Sequence, residues 1–484
     1  MNADFVDTLH RGSDWSSTHV VVAGLGVAGM GCADALLQVG ARVTVLDDGS
    51  GAVLDERATL LEALGADVRI GPDAGVADGS GLPSADLLVV SPGLRPDSPL
   101  ITNGQSQHLP VWGELELAWR LRPLDNPAPW LLVTGTNGKT TVTLMLAAML
   151  QAAGLRAPAV GNIGDSAVIA VMDPEPADVL AVEVGAPQLP FTYSLSAQAA
   201  VVLNIAPDHI DHFGSFDSYV AAKAKIYERT QRAAVYNVAD ERTRQLVEAA
   251  DVVEGCRAIG FTLGIPSVGM LGVVDDMLVD RAFIDERYSA AQELAALSDV
   301  VPAAPHNVAN ALAAAALARA HGVPAAAIRE GLHSFRPAAH RIAEVATIAG
   351  VRYIDDSKAT NGHAAKTSLL AYEPVVWIAG GLAKGQNFDD LVLAVRDRLR
   401  GVVLLGVDRA TIAEALARHA PNVPVVDVPG IDPGVMTDVV RAAAGLARPG
   451  DTVLLAPGCA SWDMFDNYGH RGRAFASAVL ELQI

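Results

Sequence analysis

Short continuous apolar runs, each followed by a glycine-rich turn and an amphipathic or alanine-rich stretch, set the rhythm of this chain. Runs at 19–23 (HVVVA), 41–46 (ARVTVL) and 86–90 (DLLVV) read as strands, and the turn at 24–29 opens a helix reaching about residue 39. Strands without polar alternation are buried on both faces, so this βαβ rhythm predicts a parallel sheet covered by helices. The stretch 122–129 (RPLDNPAP) breaks the pattern and is expected to be a linker. A second series follows, with strands at 130–133, 179–183 and 200–204, a helix over 141–151 and an alanine-rich helix over 307–321. After Phe335-Arg336-Pro337 a third series begins, with strands at 353–355, 375–379, 401–406 and 452–456 and helices over 388–399 and 411–419. The region 261–301 has no clean period and reads as surface strands and loops. The expected domains are 1–127, 128–337 and 338–484.

Composition narrows the class. A chain of 484 residues is too long for one core. Three cysteines, Cys32, Cys256 and Cys459, are too few and too scattered for a disulfide framework or a thiolate metal site, which fits a reducing cytoplasm. No apolar run reaches the ~20 residues that span a bilayer, and the first residues show no basic-plus-apolar signal pattern. A formal net charge of −20 repels nucleic acid, so no nucleic-acid partner is expected. An anionic substrate must then be held by a few local donors. Of 35 basic residues only six are lysines, leaving 29 arginines. A lysine retained in an arginine-biased chain marks a place where a primary amine is needed, or simply a solvated surface.

Gly24-Leu25-Gly26-Val27-Ala28-Gly29 follows a strand and opens a helix, and Asp47 ends the next strand. That is the dinucleotide-type fingerprint, in which glycines let the backbone approach a diphosphate at a helix N-terminus. A tight turn without ligand would give the same letters. Ser91-Pro92-Gly93 lies at another strand C-terminal end, where ligands bind in open α/β sheets. Thr134-Gly135-Thr136-Asn137-Gly138-Lys139-Thr140-Thr141 is the stronger signal. A strand feeds a loop whose N–H groups face phosphates, Lys139 reaches the β/γ oxygens and Thr140 a Mg²⁺. Val133 stands where the full pattern wants its first glycine, so this is a shortened P-loop. Its presence makes ATP the expected nucleotide.

Further polar groups end other strands. Glu183 closes DVLAVEV and would hold the same Mg²⁺. Asn204-Ile205-Ala206-Pro207-Asp208-His209-Ile210-Asp211-His212 packs carboxylates and imidazoles together, and Lys223 follows on a helix over 219–228. A carbamate on that amine would be an anionic oxygen ligand for Mg²⁺; an ordinary helix-surface lysine is the alternative. Asn307 and Asn310 share a helix face and would read a base or ribose, or Asn307 caps the helix. Asp355-Asp356-Ser357-Lys358-Ala359-Thr360-Asn361, Gly380-Gly381-Leu382-Ala383-Lys384-Gly385 and Pro457-Gly458-Cys459-Ala460-Ser461-Trp462-Asp463 each follow a strand and should converge in one site.

In this order, over essentially the whole chain, these motifs resemble the Mur ligases of peptidoglycan synthesis. GTNGKT marks the wider superfamily, which includes folylpolyglutamate synthases, and DSKATN is similar to the members that add glutamate. The resemblance implies an α/β protein of three domains: an N-terminal Rossmann-like domain for a UDP-sugar, a central P-loop ATPase, and a C-terminal Rossmann-like doubly wound sheet for an amino acid. It implies an ATP-dependent amide ligase adding D-glutamate to UDP-N-acetylmuramoyl-L-alanine through an acyl phosphate, cytoplasmic and monomeric. Carried onto this chain, it gives Gly24, Gly26, Ala28, Gly29, Asp47, Ser91, Gly93 and Asn162 to the UDP-sugar. Gly135, Thr136, Asn137, Gly138, Lys139, Thr140, Thr141, Asn307, Asn310, His340, Arg341 and Asp356 fall to ATP. Glu183 and Thr140 would hold one Mg²⁺, and His209 with a carbamylated Lys223 a second. Lys358, Thr360, Lys384, Ser461 and Tyr468 would hold glutamate. There are two departures: residues 184–189 read VGAPQL where the family carries Ser-Ser-Phe/Tyr-Gln-Leu, and Ala28 stands where it often has Thr. Rival readings are a sister ligase adding L-glutamate, an NAD-dependent dehydrogenase built on the 24–29 loop, and a catalytically silent nucleotide-binding partner.

Overall fold

A computed structural model describes residues 6–336, 340–430 and 432–482. The chain divides into two compact units, Met1–Phe335 and Arg336–Ile484. The second boundary expected from sequence, at 335–337, includes Pro337, which lies outside the described residues.

The first unit holds two sheets. In one, β1 (His19–Ala23), β2 (Arg42–Asp47), β3 (Asp67–Ile70), β4 (Leu87–Val90) and β5 (Val111–Gly113) run parallel in the order β3-β2-β1-β4-β5. The order reverses beside β1, so the loops after β1 and β4 lie side by side at the crevice where such sheets bind ligands. The helix Glu114–Leu121 leaves β5 directly and precedes the second sheet.

That sheet contains β6 (Trp130–Thr134), β7 (Ala159–Gly161), β8 (Leu180–Glu183), β9 (Ala199–Val202), β10 (Ala233–Asn237), β11 (Arg257–Phe261), β12 (Met270–Val274), β13 (Met277–Asp280) and β14 (Gln292–Ala296). Its order is β14-β13-β12-β11-β10-β9-β6-β8-β7. The region 261–301, unreadable by period, supplies an antiparallel extension: β12 continues the parallel part and β13 and β14 turn back on it. The P-loop helix Lys139–Ala152 packs against Pro305–His321 and Ala325–Ser334. Alanine dominates Pro305–His321 because that helix is buried between neighbours. Gly331 is required for the same reason, since a Cβ there would meet Met149 backbone N at 2.6 Å.

The second unit has β15 (Ala343–Ile348), β16 (Val351–Asp355), β17 (Val375–Gly380), β18 (Leu399–Leu405), β19 (Val425–Asp427) and β20 (Thr452–Leu455), in the order β15-β16-β20-β17-β18-β19. All pairs are parallel except β15 with β16. The three polar loops singled out in the sequence leave β16, β17 and β20, which are adjacent, so the expected convergence is built into the topology. No helix among the described residues is long and apolar enough to cross a membrane.

Candidate active site

The fully buried β6 drives the chain into the loop 135–138, and Lys139 begins the helix. Gly138 takes a left-handed conformation, φ +86°, and a Cβ on it would sit 2.7 Å from Asn310 Oδ1. Glycine is therefore needed twice over, and Asn310 lies directly against the loop. Lys139 Nζ donates to the carbonyls of Gly135 (2.9 Å) and Thr136 (3.1 Å), curling over the loop's own oxygens. Thr140 is buried in the first helical turn, followed by Thr141.

Two residues that the motif reading left without a role hold this loop in shape. Asn204 accepts from the Asn137 N–H at 2.9 Å and donates to its carbonyl at 3.1 Å. Thr136 Oγ1 bonds Ala206 through both backbone groups and lies 2.9 Å from the Tyr219 hydroxyl. Asn204 sits at the head of a quoted motif and was findable. Tyr219 gave only its position one turn before Lys223. Asn307 does not cap its helix: Ala304 is the cap, and the Asn307 amide donates to the carbonyls of Val301 (3.2 Å) and Pro302 (3.1 Å).

Around the loop, Glu183 and Lys223 are buried, Lys139 and Asp208 half-buried and His209 exposed. Glu183 is the last residue of β8; its Oε1 accepts from Asn162 Nδ2 at 2.9 Å, while its Oε2 is buried with no hydrogen-bond partner among the described residues. Lys223 is 1% exposed, donates to Thr134 Oγ1 at 3.3 Å and lies 4.9 Å from the centre of the Tyr219 ring. Burial, reinforced by the like charge of Lys139 and opposed by Asp208, holds its amine well below the usual lysine range. His209, at φ +52°, stacks near Tyr219 with ring centres 6.3 Å apart. A cleft of about 270 Å³ joins these groups, lined by Lys139, Asn162, Asp208, His209 and Lys223 together with Gly93 from the first sheet. Gly185, Ala186, Pro187 and Gln188, the departed segment, form part of its wall. Gln188 accepts from the Gly185 N–H at 2.7 Å and donates to the buried Glu114 at 3.1 Å. Among the described residues no cluster of three or more His, Cys, Asp or Glu side chains forms a ready-made metal cage.

At the first sheet, the loop after β1 is tightly folded. Gly24 has φ +93°, and a Cβ on Gly29 would fall 1.8 Å from the Gly24 carbonyl. Ser91 Oγ donates to that carbonyl at 3.1 Å, tying the two candidate loops together. Asp47 uses both oxygens on the backbone, accepting from Leu25 N–H (2.6 Å) and Gly49 N–H (2.7 Å). A Cβ on Gly26 would meet nothing within 4 Å, and Ala28 is half-buried beside it.

In the second unit, Asp356 follows β16 and is buried. It accepts from the Ser368 hydroxyl and from Ile342 N–H at 3.3 Å, and burial pushes its carboxyl up to about 7 despite the nearby Arg341 charge. His340 Nδ1 lies 2.6 Å from Asp355 Oδ2. Lys358 Nζ sits 4.9 Å over the Tyr468 ring and Lys384 Nζ 4.3 Å over that of Trp462, each ammonium facing an aromatic cloud. The Thr360 N–H bonds the Lys358 carbonyl at 2.9 Å, and Ser461 is buried where its loop turns. Leu382 and Ala460 exchange backbone hydrogen bonds of 3.0 Å, joining the loops that carry Lys384 and Ser461. Trp462 stood in a quoted motif without a role, and Arg471 lay outside every motif.

Residues 18–113 match a model described as "Mur ligase MurD-like, N-terminal domain", residues 133–318 the "Mur ligase middle domain" and residues 340–459 the "Mur ligase, glutamate ligase domain". A UDP-N-acetylmuramoylalanine–D-glutamate ligase of Streptomyces coelicolor is 59% identical over 473 residues, 97% of this chain and 99% of that one. One from Streptomyces avermitilis is 59% identical over 467 residues, 96% and 99% of the two chains. Among solved structures, a UDP-N-acetylmuramate–alanine ligase of Thermotoga maritima superposes with a TM-score of 0.58 at 19% identity, covering 96% of this chain and 100% of that one, a likeness of fold.

Proposed function

The chain belongs to the Mur ligase family, and from that premise we propose how its residues perform the reaction: an ATP-dependent amide ligation that adds D-glutamate to UDP-N-acetylmuramoyl-L-alanine. The observation that carries the reading is the single cleft lined by Lys139 of the P-loop, the buried Lys223 and Gly93 of the first sheet's ligand crevice. Phosphates, a buried amine and a nucleotide-sugar loop meet there, as a phosphoryl transfer to a UDP-linked acid requires. A dehydrogenase would leave Lys139, Glu183 and Lys223 without work.

A carboxylate is not an electrophile, so the L-alanyl carboxylate first attacks the γ-phosphorus of ATP, releasing ADP and leaving an acyl phosphate. Two anions meet in this step. Lys139 exchanges the loop carbonyls it now bonds for phosphate oxygens and offsets the charge. The loop N–H groups, held by Asn204 and Thr136, keep the β-phosphate fixed. The neutral amine of D-glutamate then attacks the acyl carbon, and phosphate leaves with its bonding pair as the amide forms, the nitrogen giving up one proton to the departing phosphate or to water. Lys358 and Lys384 clamp the two glutamate carboxylates, and Thr360, Ser461 and Tyr468 complete the pocket. Asp356, His340, Arg341, Asn307 and Asn310 serve the ATP side. The loop 24–29 with Asp47, Ser91 and Asn162 serves the UDP-sugar.

The donor set fits Mg²⁺. Glu183 Oε2 is a buried carboxylate oxygen without a partner, and Mg²⁺ takes one or two such oxygens alongside phosphate and water. Glu183 and Thr140 would hold one ion. His209 and Lys223 would hold another, with Lys223 as its carbamate: a neutral amine adds CO₂ and releases a proton, and burial favours the neutral form of this amine. Bound there, the metal supplies charge neutralisation of the triphosphate and of the developing transition state. The protein acts as a cytoplasmic monomer, where ATP and nucleotide sugars are made.

The test is isotopic. With ¹⁸O in the L-alanyl carboxylate, one label per turnover appears in released phosphate if the acyl phosphate forms. Unlabelled phosphate refutes the route.

A further inference from the structure

Two of the three loops of the second unit that carry the proposed glutamate clamp are bonded to one side chain, and the third is joined to one of them through the Leu382–Ala460 backbone pair. Arg471, in the first turn of the helix Tyr468–Glu481, is 1% exposed. Its Nε donates to Ser357 Oγ at 2.9 Å and its Nη2 to the Ser357 carbonyl at 2.8 Å. Its Nη1 is shared between the carbonyls of Cys459 (3.1 Å) and Ala460 (3.3 Å). Gly381, in the third loop, lies close by without a bond of its own: a Cβ added to it would be 3.3 Å from the same Nη1 and 2.2 Å from the Ala460 carbonyl oxygen. The Ser357 hydroxyl in turn donates to the Tyr468 carbonyl at 2.8 Å, closing the set onto the helix end.

A fully buried guanidinium normally faces a carboxylate. This one is bonded to three carbonyls and a hydroxyl, all on loops flanking clamp residues. Ser357 precedes Lys358, Ala460 precedes Ser461, and Gly381 lies three residues before Lys384. Burial lowers the group to about 10, so it stays protonated at neutral pH and its bonds are charge-assisted. A planar fork with five donors holds two loop backbones and a hydroxyl at fixed angles with all three of its nitrogens; the single ammonium of a lysine lacks that fixed geometry.

We propose that Arg471 is a positioning residue for the acceptor amino acid, setting the spacing of Lys358, Lys384 and Ser461 through their loop backbones. It rests on the assignment of those three residues to D-glutamate. Arg471 touches no substrate in this scheme; it acts through the groups it holds.

The experiment measures all three KM values for Arg471→Lys and Ser357→Ala, with thermal midpoints recorded alongside. The expected result is a rise of about tenfold or more in KM for D-glutamate in each variant. The KM values for ATP and UDP-N-acetylmuramoyl-L-alanine should change less than about twofold. The double variant should be no worse than about the worse single one, because both changes break the same joint. A purely structural role would lower kcat or the midpoint and move all three KM values together, and that result overturns the proposal. So does a normal D-glutamate KM in Ser357→Ala, which keeps the test decisive if Arg471→Lys folds poorly. If Lys358→Ala and Lys384→Ala also leave that KM unchanged, the pocket assignment itself is wrong. If they raise it while the joint variants do not, only the positioning role fails.

Discussion

Asn162 donates its side-chain amide to Glu183 at 2.9 Å and thereby leaves the other oxygen of that carboxylate buried and unpartnered. On the proposed assignment of Glu183 to Mg²⁺, the amide orients the carboxylate so that its second oxygen would take the cation. Partners of metal-ligating groups usually contribute about 10–100-fold to metal affinity. Asn162→Ala should therefore raise the Mg²⁺ concentration for half-maximal rate by about 10–100-fold. A Mg²⁺ titration of phosphate release checks this. An unchanged midpoint with a raised KM for the UDP-sugar would mean that Asn162 serves the substrate alone.

Lys223 lies buried at the wall of the cleft beside Tyr219 and Thr134, with its amine held well below the usual lysine range by burial. Lys223→Ala should fall below about 1% of the parent rate, as loss of a charge-stabilising group in a closed site does. Short carboxylic acids should restore part of the activity by supplying the missing oxygens. Lys223→Arg should be as inactive as the alanine variant, since a guanidinium carries no carbamate. Full activity of the arginine variant would remove the carbamate from the mechanism.

On the proposed assignment, Lys358 and Lys384 would make the acceptor specific. Charge-assisted hydrogen bonds contribute ~1.5–3 kcal/mol each. Lys358→Ala and Lys384→Ala should thus each raise the KM for D-glutamate by roughly one to two orders of magnitude. The KM for ATP should stay near its parent value. Initial-rate kinetics with each substrate varied in turn separate the two, and an equal rise in both would place these lysines at the nucleotide.

Asp356 gives a pH test with a definite sign. Its folded-state value is raised to about 7 from 3.8 by burial, so the folded chain keeps a proton that the unfolded chain releases. Stability contributed by this group is present below pH 3.8 and is lost as pH rises toward about 7. Asp356→Asn removes that dependence. The thermal midpoint of the second unit's transition should fall less between pH 5 and pH 8 in the variant than in the parent. Parallel slopes would show that the carboxyl is already ionised at pH 5.

What the sequence disclosed and what it hid follow a physical line. Strands buried on both faces, such as β1, β6 and β17, are continuous apolar runs and were legible, as were the polar loops that follow them. The short or edge strands β3 (DVRI), β15 (AEVATI) and β19 (VVD) are half-exposed, and their polar positions mask them. The helix of Lys223 was expected over 219–228, but the structure gives Phe216–Ala224 followed by a 3₁₀ turn, Lys225–Tyr227. Ser215, whose hydroxyl accepts from the Ser218 N–H, marks its true start. Arg471 was invisible because an arginine in HRGR reads as a solvated surface. Its partners are backbone carbonyls more than ten residues distant, which leave no trace in local pattern. Asn204 and Tyr219 support the P-loop from another strand and helix for the same reason.

One measurement bears most directly on the whole reading: phosphate release with ATP, Mg²⁺ and UDP-N-acetylmuramoyl-L-alanine against a panel of acceptors. D-Glutamate should support steady turnover, with one phosphate released per amide formed. L-Glutamate, and D-alanine, which lacks the side-chain carboxylate that Lys358 and Lys384 are proposed to clamp, should give rates near the background. Equal turnover with L-glutamate or D-alanine would contradict the assigned acceptor. Turnover that shows up as a change in nicotinamide absorbance, with no phosphate released, would contradict the ligation itself.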